Sequence, residues 1–203
     1  MATTNAVETR QRLIDATLSS LVDRGFSATT GVEVCRRADL TRGALNHHYP
    51  EFSDLLADAL EAAYVGLLGG GRESPPPRSL EHWVHAAHRR LSQPEFKAVI
   101  ELWLASQNSP DLGAAMARQV ESLAWLFAPD EVLGDQPTPI DAELRRTLYR
   151  TVAEALIGLA LGRASRGGRP LRHEAEVVGF LAAIAAAADQ GRLEAVLHAE
   201  APG

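Results

Sequence analysis

Cysteine is nearly absent from this chain of 203 residues, in which Cys35 stands alone. A single cysteine cannot form a disulfide within the chain, and such low cysteine usage is typical of proteins in a reducing compartment. Cys35 lies on the inner side of a predicted helix, which favours a buried packing role over that of a redox sensor. We therefore expect a cytoplasmic protein.

Long hydrophobic runs are also missing. The nearest candidate, residues 177–188, is rich in alanine and too short to span a bilayer. Near the start, Glu8, Arg10 and Arg12 leave no room for the apolar core of a signal peptide. We expect neither a membrane segment nor a signal peptide.

The motifs of catalysis and metal binding are missing as well. The sequence has no glycine-rich phosphate loop after a strand, no nucleophile elbow and no cysteine–histidine cluster. His82, His85 and His88 share a predicted helix with Glu81, but they lie off its apolar stripe. We expect no enzyme, no cofactor and no metal site.

Positive charge is scarce for a nucleic-acid-binding protein. The formal net charge is −6, and through residue 65 six arginines face nine carboxylates. This is not the basic domain of a non-specific DNA binder. The cations instead cluster locally, at Arg36, Arg37, Arg42, His47 and His48. Any DNA binding should therefore depend on specific base contacts rather than on general attraction.

The pattern of apolar residues predicts an all-α protein, since no strand-like alternation of useful length occurs. Helices are predicted at 7–24, within the segment 29–48, and at 53–68, 80–91, 95–107, 111–127, 141–164 and 173–190. Three glycines at 69–71 and three prolines at 75–77 form the clearest break. We expect an N-terminal domain over 1–70 and a larger helical domain over 71–203.

The segment 29–48 carries the start signals of two short helices joined by a tight turn. Thr30 followed by Glu33 is a capping box, and Thr41 can cap the second helix. Leu40 and Leu45 have the spacing of a hydrophobic staple across that second cap. The segment therefore predicts a helix-turn-helix, whose second helix is shaped to enter the major groove of DNA.

The polar residues of this motif are the candidate DNA contacts. Arg42 can pair with guanine or phosphate, Thr41 with phosphate or a thymine methyl, and Asn46 with an adenine edge. Gly43 leaves room for the backbone to approach DNA closely. The full candidate set is Thr30, Thr41, Arg42, Gly43, Asn46, His47 and His48.

These residues also carry a family resemblance. Arg10 with Leu13-Ile14, Gly25-Phe26, Thr29-Thr30, residues 38–45 and His47-His48-Tyr49-Pro50 resemble the DNA-binding region of the tetracycline-repressor (TetR) family. The resemblance covers roughly the first 60 residues, and the remainder is similar only in helical character. It implies a three-helix helix-turn-helix domain followed by a helical domain that dimerises and binds a small-molecule effector.

Three positions depart from the family pattern. Asn46 replaces an aromatic residue and Phe52 replaces a lysine, so the resemblance implies that two phosphate contacts are changed. Asp39 stands where a glycine is frequent in the turn, and aspartate tolerates left-handed backbone better than most residues.

The predicted helices at 141–164 and 173–190 are apolar on nearly every side. Such helices must be buried on every side, either in an ordinary core or against a second subunit. Gly158 and Gly162 would let another helix approach. The resemblance implies that these helices form the four-helix interface of a homodimer.

The effector pocket is implied by the resemblance alone. Large aromatic residues on separate helices, with one polar anchor, could line a cavity; ordinary core packing is the alternative. The candidates are Trp83, His88, Glu101, Trp103, Trp125 and Tyr149. We expect a repressor that a small molecule releases from a double-stranded operator. The alternative is a binding module of the same fold that has lost specific DNA recognition.

Overall fold

The computed structural model describes residues 2–68, 76–122, 128–134 and 139–193, and within these ranges it is helical with no strand. The helices are α1 (Ala2–Arg24), α2 (Gly31–Ala38), α3 (Arg42–His48), α4 (Phe52–Leu68), α5 (Leu80–Leu91), α6 (Glu95–Ser106), α7 (Pro110–Ser122), α8 (Pro129–Leu133), α9 (Ala142–Ala164) and α10 (Glu174–Asp189). The predicted all-α fold is confirmed.

The chain divides into two compact units. The first comprises Met1–Leu67 and Pro94–Ala124, and the second comprises Leu68–Gln93 and Trp125–Gly203. The first unit therefore contains α6 and α7 in addition to α1–α4. The division of function between residues 1–70 and 71–203 stays a prediction.

The core of the first unit lies where α1, α2, α3 and α4 meet. Leu13 of α1, Val34 of α2 and Leu55 of α4 are fully buried there, and Leu45 of α3 is 2% exposed. α1 ends at Gly25, whose φ of 77° is left-handed. α6 is tied to this end, because Lys97 donates to the carbonyl of Val22 over 2.7 Å.

The core of the second unit is built from α5, α8, α9 and α10. Val84, Val152, Leu156 and Ala185 are at most 1% exposed. The carboxylate of Asp189 accepts hydrogen bonds from the first two amides of α5 over 3.0 and 3.1 Å. This cap joins the end of α10 to the start of α5, since those amides have no partner within their own helix.

Most helix boundaries agree with the predictions, and the exceptions have local causes. The stretch between the helices predicted at 111–127 and 141–164 contains α8, which begins at Pro129 because proline is well suited to the first turn of a helix. A short 3-10 turn at Phe26–Ala28 was not predicted. The last residues predicted for the helix at 111–127 lie outside the described residues. No described helix combines the length and apolarity that a bilayer crossing demands.

We expect Leu45→Ala to lower the free energy of unfolding by about 2–5 kcal/mol, because it leaves a cavity between α3 and the rest of the core. Leu104→Ala is the matched control: Leu104 is 66% exposed, and we expect a change within about 0.5 kcal/mol. Urea unfolding followed by circular dichroism measures both. Equal effects of the two substitutions would contradict the packing described here.

Candidate nucleic-acid interface

Both short helices of the motif begin at a threonine cap, as predicted. The hydroxyl of Thr30 accepts from the amide of Glu33 over 3.3 Å, and that of Thr41 accepts from Ala44 over 3.1 Å. The predicted second half of the capping box, from the Glu33 carboxylate to the Thr30 amide, is wrong, because the carboxylate instead accepts hydrogen bonds from Arg36. Each of the two helices therefore begins at a threonine whose hydroxyl caps its first turn.

The turn between α2 and α3 is fixed by the backbone conformation of Asp39 and by hydrogen bonds from two side chains. Asp39 ends α2 in the left-handed region, with φ 52° and ψ 51°, which confirms its predicted role in the turn. The guanidinium of Arg12 donates to the carbonyls of Ala38 and Asp39. The thiol of Cys35 donates to the carbonyl of Thr41 over 3.6 Å, and burial raises the pKa of this thiol against the opposing charge of Arg42. Cys35 is therefore a buried packing residue.

The outer face of α3 is open to solvent. Thr41, Arg42, Gly43, Asn46 and His47 are exposed and His48 is half-buried. The Leu40–Leu45 staple packs on the inner side, since Leu45 is buried and Leu40 partly so. The structure therefore brings the predicted candidates of α3 together on one surface.

Glu33 removes two arginines from the predicted cationic cluster. Its carboxylate accepts two hydrogen bonds from Arg36, at 2.8 and 2.9 Å, and one from Arg37, at 2.8 Å. Arg24 lies 3.6 Å from the same carboxylate. The hydrogen bonds from Arg36 and then Arg37 lower the pKa of Glu33 to about 2. Arg36 and Arg37 follow Glu33 by three and four residues along one helix. This spacing is the sequence signal for these two ion pairs.

Asp58 engages Arg10, an arginine of α1. The guanidinium of Arg10 donates to Asp58 over 2.5 Å and lies 5.1 Å from the centre of the Tyr49 ring. Tyr49 donates its hydroxyl proton to the same carboxylate over 2.6 Å. Arg10 is therefore occupied in joining the start of α1 to α4.

Arg42 differs from these arginines. Among the described residues, nothing accepts a hydrogen bond from its guanidinium or forms an ion pair with it. Its guanidinium lies beside Gly31, at the start of α2. Arg42 is thus the arginine of the motif that is available to an external anion or base.

The N-terminal part of the chain is similar to a known protein family. Residues 13–59 match the family model described as bacterial regulatory proteins, tetR family. Over these residues the chain is similar to the TetR family.

The individual relatives of the chain are distant. The HTH-type transcriptional regulator BetI of Burkholderia thailandensis is 30% identical over 111 residues, which are 51% of this chain and 57% of that protein. BetI of Cronobacter sakazakii is 26% identical over 183 residues, which are 81% of this chain and 83% of that protein. The multidrug binding protein EbrR, solved with ethidium, has a TM-score of 0.56 at 23% identity and covers 85% of this chain and 98% of its own. EbrR shares the fold.

The structure shows where two of the residues that depart from the TetR pattern lie. Phe52, where the family commonly has lysine, is partly buried and packs against the core of the first unit. Asn46 is exposed on the outer face of α3. The lost cation at Phe52 is therefore exchanged for core packing, whereas Asn46 keeps a polar group on the candidate interface.

The structure divides the predicted effector residues between the two units. In the second unit, the rings of Trp83 and Tyr149 stack with their centres 4.3 Å apart, both buried in the core. In the first unit, Glu101 accepts from the amide of Phe26 over 2.9 Å and the indole of Trp103 donates to Tyr64 over 2.7 Å. Trp125 lies outside the described residues.

A cavity of about 310 Å³ in the first unit is lined by none of the candidates that the structure describes. Its lining residues come from α1, α4, α7 and the end of the motif: Arg10, His48, Tyr49, Pro50, Asp54, Ala57, Asp58, Ala115, Arg118 and Gln119. The assignment of an effector pocket stays a prediction.

His88 forms part of a hydrogen-bonded cluster around the buried carboxylate of Glu174. Its Nε2 lies 2.9 Å from the carboxylate of Glu174, which also accepts from Arg163 and from the amide of Leu171. Burial alone would raise the pKa of Glu174, but the hydrogen bonds from His88, Leu171 and Arg163 lower it overall. The cluster links α5, α9 and α10, and this pairing of His88 was not predicted.

We expect the Glu33 carboxyl to titrate near pH 2. Because its folded pKa is depressed, the stabilising contribution is complete above the ordinary pKa of 4.5 and is lost as the pH falls towards 2. Arg36→Ala should raise this pKa most, since Arg36 makes the largest contribution.

The carboxyl carbon shift of Glu33, followed by NMR during acid titration, measures this directly. Arg12→Ala is the control, because Arg12 bonds backbone carbonyls instead of Glu33. An unshifted Glu33 pKa in Arg36→Ala would show that Arg36 does not bond to Glu33 in solution.

Proposed function

We propose that this chain is a dimeric transcription regulator that binds a double-stranded DNA operator through α3 and is released by a small-molecule effector. The observation that carries the DNA-binding part is the exposed face of α3, where Arg42 lacks an internal partner among the described residues. A cation without a partner beside exposed Asn and His groups suits base edges and phosphates.

Each side chain on this face has a role that its chemistry supports. Arg42 would donate two parallel hydrogen bonds to a guanine or bind a phosphate, and Asn46 would pair with an adenine edge. Thr41 and Thr30 would contact phosphates while they cap their helices. His47 would add a further donor at the same surface, with its ring packed edge-on against His48 at 5.4 Å.

The internal neutralisation of arginines supports binding that depends on sequence. The other arginines through residue 65 are engaged within the chain: Arg10 by Asp58, Arg12 by backbone carbonyls, and Arg24, Arg36 and Arg37 by Glu33. Few cations then remain for phosphates, and the sequence-independent part of the affinity should be small.

The dimer interface is proposed on α9 and α10. Each helix buries one face in the core of the second unit and leaves an apolar residue exposed: Leu161 is 45% exposed and Phe180 is 65% exposed. A Cβ at Gly158 would meet nothing within 4 Å, so this glycine is open to a second helix. Gly162 instead packs within the chain, where a Cβ would lie 2.9 Å from Leu171. Two copies would place two α3 helices on successive half-sites.

A small-molecule effector would act by binding more tightly to the conformation of the dimer that does not bind DNA. An effector with equal affinity for both conformations would not shift the equilibrium between them. EbrR, which shares the fold, was solved with ethidium bound. The six predicted pocket residues remain the candidates, with Trp83 and Tyr149 the pair that lie in contact.

Selection from a library of random duplexes tests the proposal. The dimer should enrich an inverted repeat whose half-sites lie about 10 base pairs apart, centre to centre. If protein shown to be dimeric enriches no sequence, the chain is instead a binding module of the TetR fold.

We expect Arg42→Ala to weaken binding to the selected operator by about 1–3 kcal/mol. Arg36→Ala is the matched control. The Arg36 side chain is 64% exposed but bound to Glu33, so we expect less than about a threefold change from a surface substitution of this kind. Fluorescence anisotropy measures both.

A salt series separates the two roles of Arg42. Loss of a phosphate contact lowers the slope of log K against log salt by about 1, whereas loss of a base contact relaxes specificity at one position. Equal affinities for the Arg42 and Arg36 variants would contradict the assignment of Arg42.

We expect Phe180→Glu to dissociate the dimer, because it places a charge at the proposed apolar interface. Leu104→Glu is the control: Leu104 has similar exposure, at 66%, but lies on α6. Sedimentation velocity over a concentration series measures the dimer fraction. A dimer that survives Phe180→Glu but not Leu104→Glu would place the interface elsewhere.

A further inference from the structure

Gly31 is the first residue of α2, directly after the Thr30 cap. It is buried although it has no side chain, and it is not among the glycines with positive φ. Its backbone is therefore one that alanine adopts readily, and alanine is the better helix former. Backbone conformation does not account for a glycine here.

The neighbour that does account for it is Arg42. A Cβ at Gly31 would lie 3.1 Å from Cζ of Arg42 and 2.5 Å from its Nη1, and the second distance is too short for a real contact. The guanidinium thus lies in the space that a side chain at position 31 would fill. For comparison, a Cβ at Gly43 would come no closer than 3.7 Å to the Thr41 hydroxyl.

We propose that Gly31 is a positioning residue for DNA recognition: its missing side chain lets the Arg42 guanidinium lie against the start of α2. The inference rests on the proposed function of Arg42. An arginine on a seven-residue helix has many rotamers, and holding one of them before binding reduces the ordering cost of the complex. Nothing else in the described part of the chain bonds this guanidinium, so the open space at Gly31 is what makes this placement accessible.

Gly31→Ala should leave the fold intact. The atoms that meet the new methyl are the far end of a flexible side chain, which moves at little cost. We therefore expect a melting temperature equal to or above that of the wild type. Gly66→Ala is the matched control, because Gly66 lies within α4 and a Cβ there would meet nothing within 4 Å.

A double-mutant cycle on the operator selected by the wild type tests the proposal. Gly31→Ala should weaken binding by roughly threefold to thirtyfold, less than removal of Arg42 itself. In the Arg42→Ala background, the same change should alter affinity by less than about twofold, because the two residues act through one contact. Gly66→Ala should have no effect in either background.

Two results would overturn the proposal. Equal losses from Gly31→Ala in both backgrounds would mean that the methyl group meets DNA directly, and no loss in the wild-type background would mean that Arg42 is not positioned by Gly31. NMR separates these from failure of the proposed function. Cross-peaks between the Gly31 Hα and the Arg42 side chain should appear in the free wild-type protein, and their absence would refute the positioning even if DNA binds.

Discussion

The structure of the candidate interface depends on the burial of Leu45. A helix of seven residues such as α3 is not stable alone in water, because its few hydrogen bonds do not offset the cost of starting a helix. Leu45 is 2% exposed and packs with buried residues of α1, α2 and α4. The Thr41 cap and the Leu40 contact then fix where the helix begins. The outer face of α3 faces solvent because its inner face is anchored in this way.

The ion pairs of the first unit also support the proposed recognition of DNA through α3. Glu33 binds Arg36 and Arg37, and Asp58 binds Arg10. These pairs are partly exposed, so each adds little to stability, but together they remove cations that would attract any DNA. Discrimination then falls to the short-range contacts of α3. A weak single contact surface also explains why two copies of the motif matter to the proposed function.

The second unit uses charge differently. Glu174 is 4% exposed and satisfied by His88, Arg163 and the amide of Leu171. A buried carboxylate needs such partners, since its desolvation is costly. Three segments are thereby fixed to one another, while the exposed residues of α9 and α10, Leu161 and Phe180, lie outside this core. The unit combines a fixed interior with an apolar surface on the two helices proposed to dimerise.

The sequence alone was sufficient for the fold class, most of the helices and the two threonine caps, because these depend mainly on neighbours within four residues. It also placed Asp39 in the left-handed turn. Only the tertiary structure decided that Asp58 engages Arg10, since the two residues lie 48 positions apart. It likewise decided that the guanidinium of Arg42 lies against Gly31. Side-chain pairing across helices depends on the packing of their faces, which local patterns do not specify.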